Sequence, residues 1–296
     1  MLILKTIPHE TIWGGQKLIP YTDGNFEKIG HLYSVMDDQG QSNMIMNGAY
    51  AGKDFHSYFE ENKEKFHLEE YEQFPLIIAL VEANDNLSIQ VHPDDEVAKQ
   101  EENRPYGKNE SWYFIDAPES GCIYDGCLCD TVEEAVQQIE LGNAEKITDR
   151  LPVKAGDYVY VEAGTLHALS TGSFLYEIEE NCELTYRIYD FGRVGADGKP
   201  RETHIDKAVK ALKPKLKSIA QPLKANEIIG ERRYTVQLLE NVKGYRNTSN
   251  TLECVTLLEG NTLVENKELS VGTSIILEPG EEIVVNIVKA MMARPC

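Results

Sequence analysis

The sequence predicts a mainly β protein that folds as barrels or jelly rolls, and not as a parallel α/β sheet. Short runs rich in Val, Ile, Leu and Tyr recur between turn signals, and helical periodicity is confined to a few segments. The clearest runs are predicted strands at Phe74–Val81, Trp112–Ile115, Asp157–Val161 and Ser274–Leu277. With 296 residues, of which 42% are hydrophobic, the chain is long enough to bury a sizeable core.

Three segments have the apolar spacing of helices. The first, Asp54–Tyr71, places aromatic residues among charged ones. The second, Thr131–Leu141, begins with a threonine that can cap a helix and continues with two glutamates. The third, Ile205–Leu212, ends before Pro214, which a helix interior does not tolerate. We therefore expect a few helices among the strands.

Two segments of the chain are similar to each other. Val153–His167 and Leu269–Ile283 each contain a turn glycine, an apolar strand and a second tight turn with the pattern Glu-x-Gly. The first copy ends on His167, whereas the second ends on Ile283. All seven histidines precede residues 214–230, which lose periodicity and are interpreted as a linker. If the copies are two barrels, only the first can hold a metal bound by histidine.

The acidic balance of the chain restricts its partners. Its 49 acidic and 29 basic residues give a formal net charge of −20. Such a surface repels the phosphate backbone of nucleic acids and anionic lipid, so neither nucleic acid nor a membrane is an expected partner. It also repels a doubly charged sugar phosphate unless nearby cations reverse the local potential. A phosphate site in this chain must therefore contain identifiable Lys or Arg residues.

Targeting signals and disulfides are not expected. No segment approaches the roughly 18 apolar residues of a membrane span, and the N-terminal segment becomes polar too early for a signal peptide. The six cysteines include no Cys-x-x-Cys pair of the kind that binds structural zinc. We therefore expect reduced thiols and a cytoplasmic protein.

Four side chains have the chemistry of a metal site. Gln90 and His92 are two residues apart on a predicted strand, so their side chains leave the same face. Glu110 lies at the start of another strand, and His167 ends the turn of the first repeat copy. Each alone could be a core or surface residue, but together they offer one carboxylate, two imidazoles and an amide oxygen. This mixed set predicts a divalent metal site, for which zinc is the commonest ion.

The same motifs resemble known families. The pattern Gly-x5-Glu-x-Gly-x-x-His that ends at His167 is similar to the second cupin motif, with Glu162 where cupins usually have proline. Ser88–Pro93 and His167–Arg187 resemble the type I mannose-6-phosphate isomerases, in their short bacterial form. The similarity extends over nearly the whole chain, from the segment Ile12-Trp-Gly-Gly15 onward.

The resemblance implies an architecture and a cofactor. The expected fold is mainly β, with two cupin-type jelly-roll barrels and a few helices inserted in and around the first. The expected domains are a catalytic domain at residues 1–213, the linker at 214–230, and a smaller cupin-like domain without metal ligands at 231–296. One Zn²⁺ per chain is expected, and the family's zinc ligands fall on Gln90, His92, Glu110 and His167.

The resemblance also implies an activity. The family consists of aldose–ketose isomerases, which interconvert mannose 6-phosphate and fructose 6-phosphate through an enediolate. The family's active-site arginine falls on Arg187, which suits stabilisation of the oxyanion, and Lys108 or Glu183 is the expected proton carrier. Ser88, Lys108 and Arg187 are expected to bind the sugar phosphate. The cations available for its phosphate are Lys108, Arg187, Arg193 and Arg201. Both a monomer and a homodimer remain open.

One segment departs from the family pattern and keeps alternatives open. The family's Gly-Glu-x-Trp reads Gly30-His31-Leu32-Tyr33 here, so a carboxylate and an indole are missing. A non-catalytic sugar-binding cupin is therefore one alternative. A non-haem iron cupin dioxygenase is another, because histidines and a carboxylate also bind iron. Gln90 as a ligand, with Lys108 and Arg187 nearby, fits a sugar better.

Overall fold

The computed structural model describes residues 1–38, 40–195 and 198–296, and most of their regular structure is β. The strands of the N-terminal half are β1 (Leu2–Ile3), β2 (Ile7–His9), β3 (His31–Val35), β4 (Asp37–Asp38), β5 (Gln41–Ser42), β6 (Leu76–Glu82), β7 (Ile89–Val91), β8 (Glu110–Asp116), β9 (Cys122–Cys127) and β10 (Thr148–Pro152). The next are β11 (Asp157–Val161), β12 (His167–Ala168), β13 (Phe174–Glu180), β14 (Tyr186–Tyr189), β15 (Ala220–Pro222), β16 (Ile228–Gly230) and β17 (Tyr234–Val242). The last are β18 (Tyr245–Arg246), β19 (Glu253–Glu259), β20 (Thr262–Val264), β21 (Lys267–Leu269), β22 (Ser274–Leu277), β23 (Glu282–Ile283) and β24 (Ile287–Pro295).

The helices are short. The α-helices are α1 (Phe55–Asn62), α2 (Asp95–Glu102), α3 (Val132–Glu140), α4 (Ala144–Ile147) and α5 (Ile205–Ala211). Single 3₁₀ turns lie at Ile19–Tyr21, Gly48–Tyr50 and Lys63–Phe66. Within the described part of the chain, no helix has the length and apolar character needed to cross a membrane.

Three antiparallel sheets make up the molecule's framework. The seven-stranded sheet has the order β15-β11-β8-β13-β6-β3-β2, and the five-stranded sheet has the order β10-β9-β12-β7-β14. The six-stranded sheet has the order β1-β22-β19-β24-β17-β16. The fold is thus mainly β with few helices, as the sequence predicts.

The seven-stranded sheet uses both of its faces. Because side chains alternate along a strand, Trp112 and Tyr113 of β8 point to opposite sides. Tyr113 belongs to a buried cluster that also contains Tyr234 of the six-stranded sheet. Trp112 belongs to a second cluster that contains Ile123 of the five-stranded sheet. The seven-stranded sheet is therefore the middle layer, and its face toward the five-stranded sheet carries the site described below.

A helical layer covers the five-stranded sheet. Ile89 and Val91 of β7 are buried in one cluster with Ala135 of α3, Ile147 of α4 and Ala208 of α5. These two strand residues point away from the face that Gln90 uses, because of the alternation along β7. Packing on the outer side therefore fixes the direction of the polar side chains on the inner side.

The helix predictions are correct for two segments and partly correct for a third. Thr131 caps α3 by accepting a hydrogen bond from the Glu134 amide at 3.2 Å, and α5 lies where it is predicted. The predicted helix at Asp54–Tyr71 is shorter, because α1 passes into a 3₁₀ turn and His67 then adopts a φ of 60°, which ends the helix. Helix α2 was not predicted from the sequence, since it is largely polar.

The two similar segments also have similar structures. Each forms a strand, β11 or β22, between two tight turns. Gly156 and Gly272, before these strands, have φ values of 87° and 85°, in the region that favours glycine. The strands β11 and β22 coincide with their predicted bounds, Asp157–Val161 and Ser274–Leu277.

Strand pairing crosses the expected domain boundaries at two places. Leu2–Ile3, at the N-terminus, pairs with β22 in the six-stranded sheet. The expected linker at residues 214–230 is partly β: Ala220–Pro222 pairs with β11, and Ile228–Gly230 pairs with β17. These linker strands are mostly exposed and were not predicted, since edge strands lack an apolar face.

Candidate active site

A cavity of about 210 Å³ lies between the five-stranded and seven-stranded sheets. Gln90 of β7 pairs in register with His167 of β12 on one side and with Arg187 of β14 on the other. Residues directly opposite each other on antiparallel strands project from the same face. Register therefore brings these three side chains into the cavity, where they face Glu110 and Glu177 of the opposite sheet.

The structure brings all the predicted site residues together. The cavity lining includes Ser88, Gln90, Lys108, Glu110, His167, Glu183 and Arg187. His92 is not part of this lining, but it belongs to the same buried cluster as Glu110 and His167. A separate cavity of about 230 Å³, lined by Tyr71, Tyr106 and Arg233 among others, contains none of these residues.

Three of the predicted metal ligands form a buried cluster. The Nε2 atom of His92 lies 3.3 Å from Glu110 Oε2, and the Nε2 atom of His167 lies 3.4 Å from Glu110 Oε1. All three residues are 1% exposed. Their ligand atoms lie within 4.8 Å of one another. One carboxylate and two imidazoles thus converge on a single point.

The backbone orients both imidazoles toward that point. His92 Nδ1 lies 2.8 Å from the Leu184 carbonyl oxygen, and His167 Nδ1 lies 2.9 Å from the Thr165 carbonyl oxygen. Each Nδ1–H donates to its carbonyl, so each Nε2 lone pair is directed at Glu110. Burial lowers the pKa of His92, and it lowers that of His167 to about 4, which keeps both rings neutral.

The donor set fits a divalent metal ion. Within the described part of the chain, His92 Nε2 and Glu110 Oε1 are buried without a hydrogen-bond partner. Such atoms are costly unless something else pairs with them. Burial opposes ionisation of Glu110, but the Lys108 ammonium beside it holds the pKa of the carboxyl below its ordinary value, so the carboxylate is charged. Neutral imidazoles around a buried carboxylate are the ligand forms that zinc and similar ions take.

Gln90 joins this cluster to Arg187. Its Nε2 atom lies 3.4 Å from His167 Nε2, and its Oε1 atom accepts a 3.2 Å hydrogen bond from the Ser88 hydroxyl. Arg187 Nε in turn donates to Ser88 Oγ at 3.3 Å. Ser88 therefore connects the arginine to the amide of the fourth predicted ligand.

Lys108 is a buried cation between two carboxylates. Its Nζ atom lies 2.9 Å from Glu179 Oε1 and 3.3 Å from Glu110 Oε2. Burial alone would lower the pKa of Lys108, but these carboxylates outweigh it and raise the pKa above its ordinary value. With these neighbours Lys108 is protonated. A lysine that acts as a base would need a lowered pKa, and the pKa of Lys108 is raised instead.

Sequence reasoning missed two glutamates in the cavity. Glu177 and Glu179 lie two residues apart on β13 and project from the face that lines the cavity. Trp112 Nε1 donates a 2.8 Å hydrogen bond to Glu177 Oε1. Burial and the nearby Glu110 raise the pKa of Glu177 to about 7. Polar side chains at alternating positions of an otherwise apolar strand are the pattern that identified Gln90 and His92. The same pattern could have identified Glu177 and Glu179.

The segment that departs from the family pattern forms one wall of the cavity. His31 stacks on Tyr33 with ring centroids 5.3 Å apart, and the Trp13 ring meets His31 edge-on at 5.0 Å. His31 Nε2 lies 3.8 Å from Glu177 Oε2. Burial and the adjacent His9 lower the pKa of His31 to about 3, so the ring is neutral. The replaced residues therefore keep an aromatic wall and contribute no negative charge.

Comparison with known proteins gives consistent matches. The family model for the phosphomannose isomerase type I catalytic domain matches residues 1–119. A probable mannose-6-phosphate isomerase of Bacillus subtilis, GmuF, is 38% identical over 214 residues, which cover 71% of this chain and 68% of that protein.

Solved structures extend the similarity over the whole chain. The crystal structure of the mannose 6-phosphate isomerase from Bacillus subtilis covers 99% of both chains with a TM-score of 0.86 and 27% identity. A zinc-bound mannose 6-phosphate isomerase shares the fold with a TM-score of 0.69 at 12% identity, covering 99% of both chains. The relative with 38% identity decides the assignment, and the agreement over the full length of the Bacillus structure supports it. The chain belongs to the family of type I mannose-6-phosphate isomerases.

Proposed function

We propose that this chain interconverts mannose 6-phosphate and fructose 6-phosphate through an enediolate, and that it requires zinc. One observation carries the proposal: a buried cluster of two neutral imidazoles and a carboxylate opens into the cavity that also holds Lys108, Glu177 and Arg187. The names of the related proteins supply the substrate. Family membership favours isomerisation over a dioxygenase or a non-catalytic cupin.

We assign the zinc ligands to Gln90, His92, Glu110 and His167. A half-turn of the Gln90 amide would direct its oxygen toward His167 Nε2, which now faces the amide nitrogen at 3.4 Å. When bound, zinc would act as a Lewis acid that orients and polarises oxygen atoms of the sugar. One ion per chain is expected, because the second repeat copy ends on Ile283 in place of a histidine.

Two cations in the cavity suit the charge that develops during isomerisation. Removing a proton from the carbon beside the carbonyl produces an enediolate with negative charge on oxygen. Lys108 is protonated and buried, and Arg187 is a permanent cation that lines the same cavity. Both are therefore assigned to bind the sugar oxygens and to stabilise the enediolate.

The proton carrier is assigned to Glu177. The reaction needs one group that takes the proton from the second carbon of the sugar and returns it to the first carbon. Glu177 is a cavity carboxyl with a pKa of about 7, so it can both accept and release a proton near neutral pH. Lys108 remains a candidate acid. Glu183, which also lines the cavity, remains the alternative base.

A coupled assay tests the function. Formation of fructose 6-phosphate from mannose 6-phosphate is measured before and after chelation, and again after zinc is restored. We expect activity to disappear with the metal and to return with zinc. Full activity in metal-free protein would contradict the zinc requirement, and no fructose 6-phosphate under any condition would contradict the isomerase.

Variants separate metal binding from chemistry. His167→Ala should lose both zinc and turnover, whereas Arg187→Ala should retain zinc and lose turnover. His67→Asn is the matched control, since His67 is an exposed histidine with a positive φ that asparagine tolerates. Loss of zinc from the Arg187 variant would contradict the assigned roles.

A further inference from the structure

Three arginines are gathered at the partly exposed side of the cavity. Arg187 lies on β14, and Arg193 and Arg201 lie in the loop that follows it. The loop returns against the strand, because the His204 amide donates to the Arg187 carbonyl at 2.7 Å and the Arg187 amide donates to His204 Nδ1 at 3.1 Å. The return places Arg201 beside Arg187 in the cavity lining. Arg187, Arg193 and Arg201, with Asp190, are called the arginine cluster below.

Asp190 holds two of these arginines. Arg201 donates from Nε to Asp190 Oδ2 at 2.7 Å and from Nη2 to Oδ1, which is a two-point, fork-like contact. Arg193 Nη2 donates to the same Oδ1 atom. The Asp190 side chain is only 7% exposed, so this carboxylate is a fixed anchor and not a mobile surface group.

The arginine cluster carries net positive charge in an acidic protein. The three guanidinium groups outnumber the single carboxylate of Asp190, which contacts Arg193 and Arg201. Among the described residues, the Arg187 side chain donates hydrogen bonds to two neutral groups, the Ser88 hydroxyl and the Glu202 carbonyl. Within the described part of the chain, Asp85, whose side chain is 56% exposed, also forms an ion pair with Arg193 at 3.7 Å. With a formal charge of −20 on the whole chain, this surplus is the local cation group that a phosphate would require.

The arginines of the cluster differ in how many of their N–H groups already donate hydrogen bonds within the protein. Arg193 uses Nε, Nη1 and Nη2 on the Asp190 and Asn86 segments, and its side chain is 13% exposed. Among the described residues, no hydrogen bond is recorded for Arg187 Nη2 or for Arg201 Nη1. Arg187 and Arg201 line the cavity. Two anchored guanidinium groups therefore offer unpaired N–H groups to a ligand.

We propose that Arg201, positioned by Asp190, binds the phosphate group of the substrate together with Arg187. The proposal rests on the proposed function and adds the residue that selects phosphorylated over free sugar. The phosphate end of the sugar then lies at the arginine cluster, and its first two carbons lie toward Lys108 and Glu177. Asp190 acts through Arg201 as a positioning residue. Arg193, which also contacts Asp190, neutralises part of the negative charge of Asp190.

Arg201→Ala is the direct test. We expect KM for mannose 6-phosphate to rise at least tenfold, the inhibition constant of inorganic phosphate to rise similarly, and kcat to change less than about threefold. Zinc content should not change. Arg246→Ala, which removes the same charge from an exposed site in the six-stranded half of the chain, should leave all four quantities unchanged.

Two further variants guard against a general structural effect. Arg201→Lys keeps the charge but not the fork, so it should recover part of the phosphate affinity that the alanine variant loses. Asp190→Asn should raise KM for mannose 6-phosphate and the phosphate inhibition constant together, with kcat retained. An Arg201→Ala enzyme with unchanged KM and unchanged phosphate inhibition would overturn the proposal. Loss of kcat with phosphate inhibition unchanged would overturn it as well.

A binding measurement separates this proposal from the proposed function. Calorimetric titration of the zinc-loaded protein with inorganic phosphate requires no turnover. Weaker binding to Arg201→Ala than to the original protein supports the phosphate site even if no isomerase activity is found. Equal binding to the two proteins overturns the phosphate site even if the isomerase activity is confirmed.

Discussion

Glu177 combines three properties that a proton carrier needs. It is buried beside the proposed zinc ligands, one of its oxygens accepts a hydrogen bond from Trp112, and its pKa is raised to about 7 by burial and by Glu110. His31, on its other side, is neutral and cannot hold the carboxyl in its charged form as a cation would. His31, which stands where the family pattern has glutamate, therefore leaves the pKa of Glu177 at about 7.

The raised pKa of Glu177 predicts a pH profile. A general base acts as the carboxylate, so kcat/KM should rise with pH and reach its plateau only well above the ordinary carboxyl pKa of 4.5, because burial, the largest cause of the raised pKa, persists when zinc is bound. Glu177→Gln should reduce kcat by about 10² or more while zinc content stays constant. Glu183→Gln tests the alternative base, and a larger loss of kcat in that variant would assign the proton transfer to Glu183.

The cysteines should differ sharply in reactivity. Burial raises the pKa of Cys129 to about 11 and that of Cys182 to about 12, so little of either thiol is ionised at neutral pH. Cys254 is fully buried, whereas Cys296 is exposed. A thiol reagent should modify Cys296 first and reach the buried thiols only after denaturation. Cys296→Ser should remove the fast phase, and a fast phase that persists at full amplitude would contradict the burial pattern.

At the scale of single elements, Thr131 provides a direct test of a helix start. Its hydroxyl accepts from the Glu134 amide at 3.2 Å at the first turn of α3. Thr131→Ala should lower the free energy of unfolding by about 1 kcal/mol, because that amide loses its partner. Denaturant unfolding measures the change. Thr248→Ala, at an exposed threonine outside any helix or strand, should stay within about 0.5 kcal/mol of the original protein.

Elements were predictable where local pattern and burial agree. The strands β11 and β22 were found at their observed bounds because turn glycines and apolar residues delimit them. Helix α2 was missed because its only buried residue is Ala98, so it has almost no apolar face to recognise. Strands β15 and β16 were missed because their residues are mostly exposed and their position depends on partners distant in sequence.

The site was predictable for a different reason. The four proposed ligands are polar groups of unusual type in apolar surroundings, and a sequence motif places each of them at a strand or turn. Glu177 and Glu179 were not predicted, because glutamate is common and only the pairing of β13 with β8 shows that both face Glu110. The role of Asp190 could not be predicted, because Arg201 reaches it only when the loop after β14 folds back. That folding depends on hydrogen bonds between His204 and Arg187.

At the scale of the whole molecule, the six-stranded sheet packs against the seven-stranded sheet that lines the cavity. Tyr234 of β17 and Tyr158 of β11 both share hydrogen bonds with Ser111 of β8, at 2.6 and 2.7 Å. Buried residues of the two sheets form one continuous cluster. Leu2–Ile3 also lies in the six-stranded sheet. The two halves of the chain therefore share a core.

This shared core predicts the behaviour of a shortened chain. A protein of residues 1–230 retains every proposed zinc ligand but exposes the apolar face of the seven-stranded sheet. We expect it to aggregate or to unfold without a cooperative transition, since a large apolar surface is left in water. Thermal unfolding and light scattering check this. A shortened chain that stays monomeric, unfolds cooperatively and binds zinc would show that the first half folds independently.

The central claim is that four donors from three separate segments of the chain meet at one zinc ion. The most direct measurement is a crystal structure recorded on both sides of the zinc absorption edge. We predict one anomalous peak per chain, about 2.0–2.2 Å from the ligand atoms of His92, Glu110 and His167 and within reach of Gln90. A peak elsewhere, such as in the six-stranded half, or a zinc-loaded crystal in which these donors lie apart, would contradict the claim.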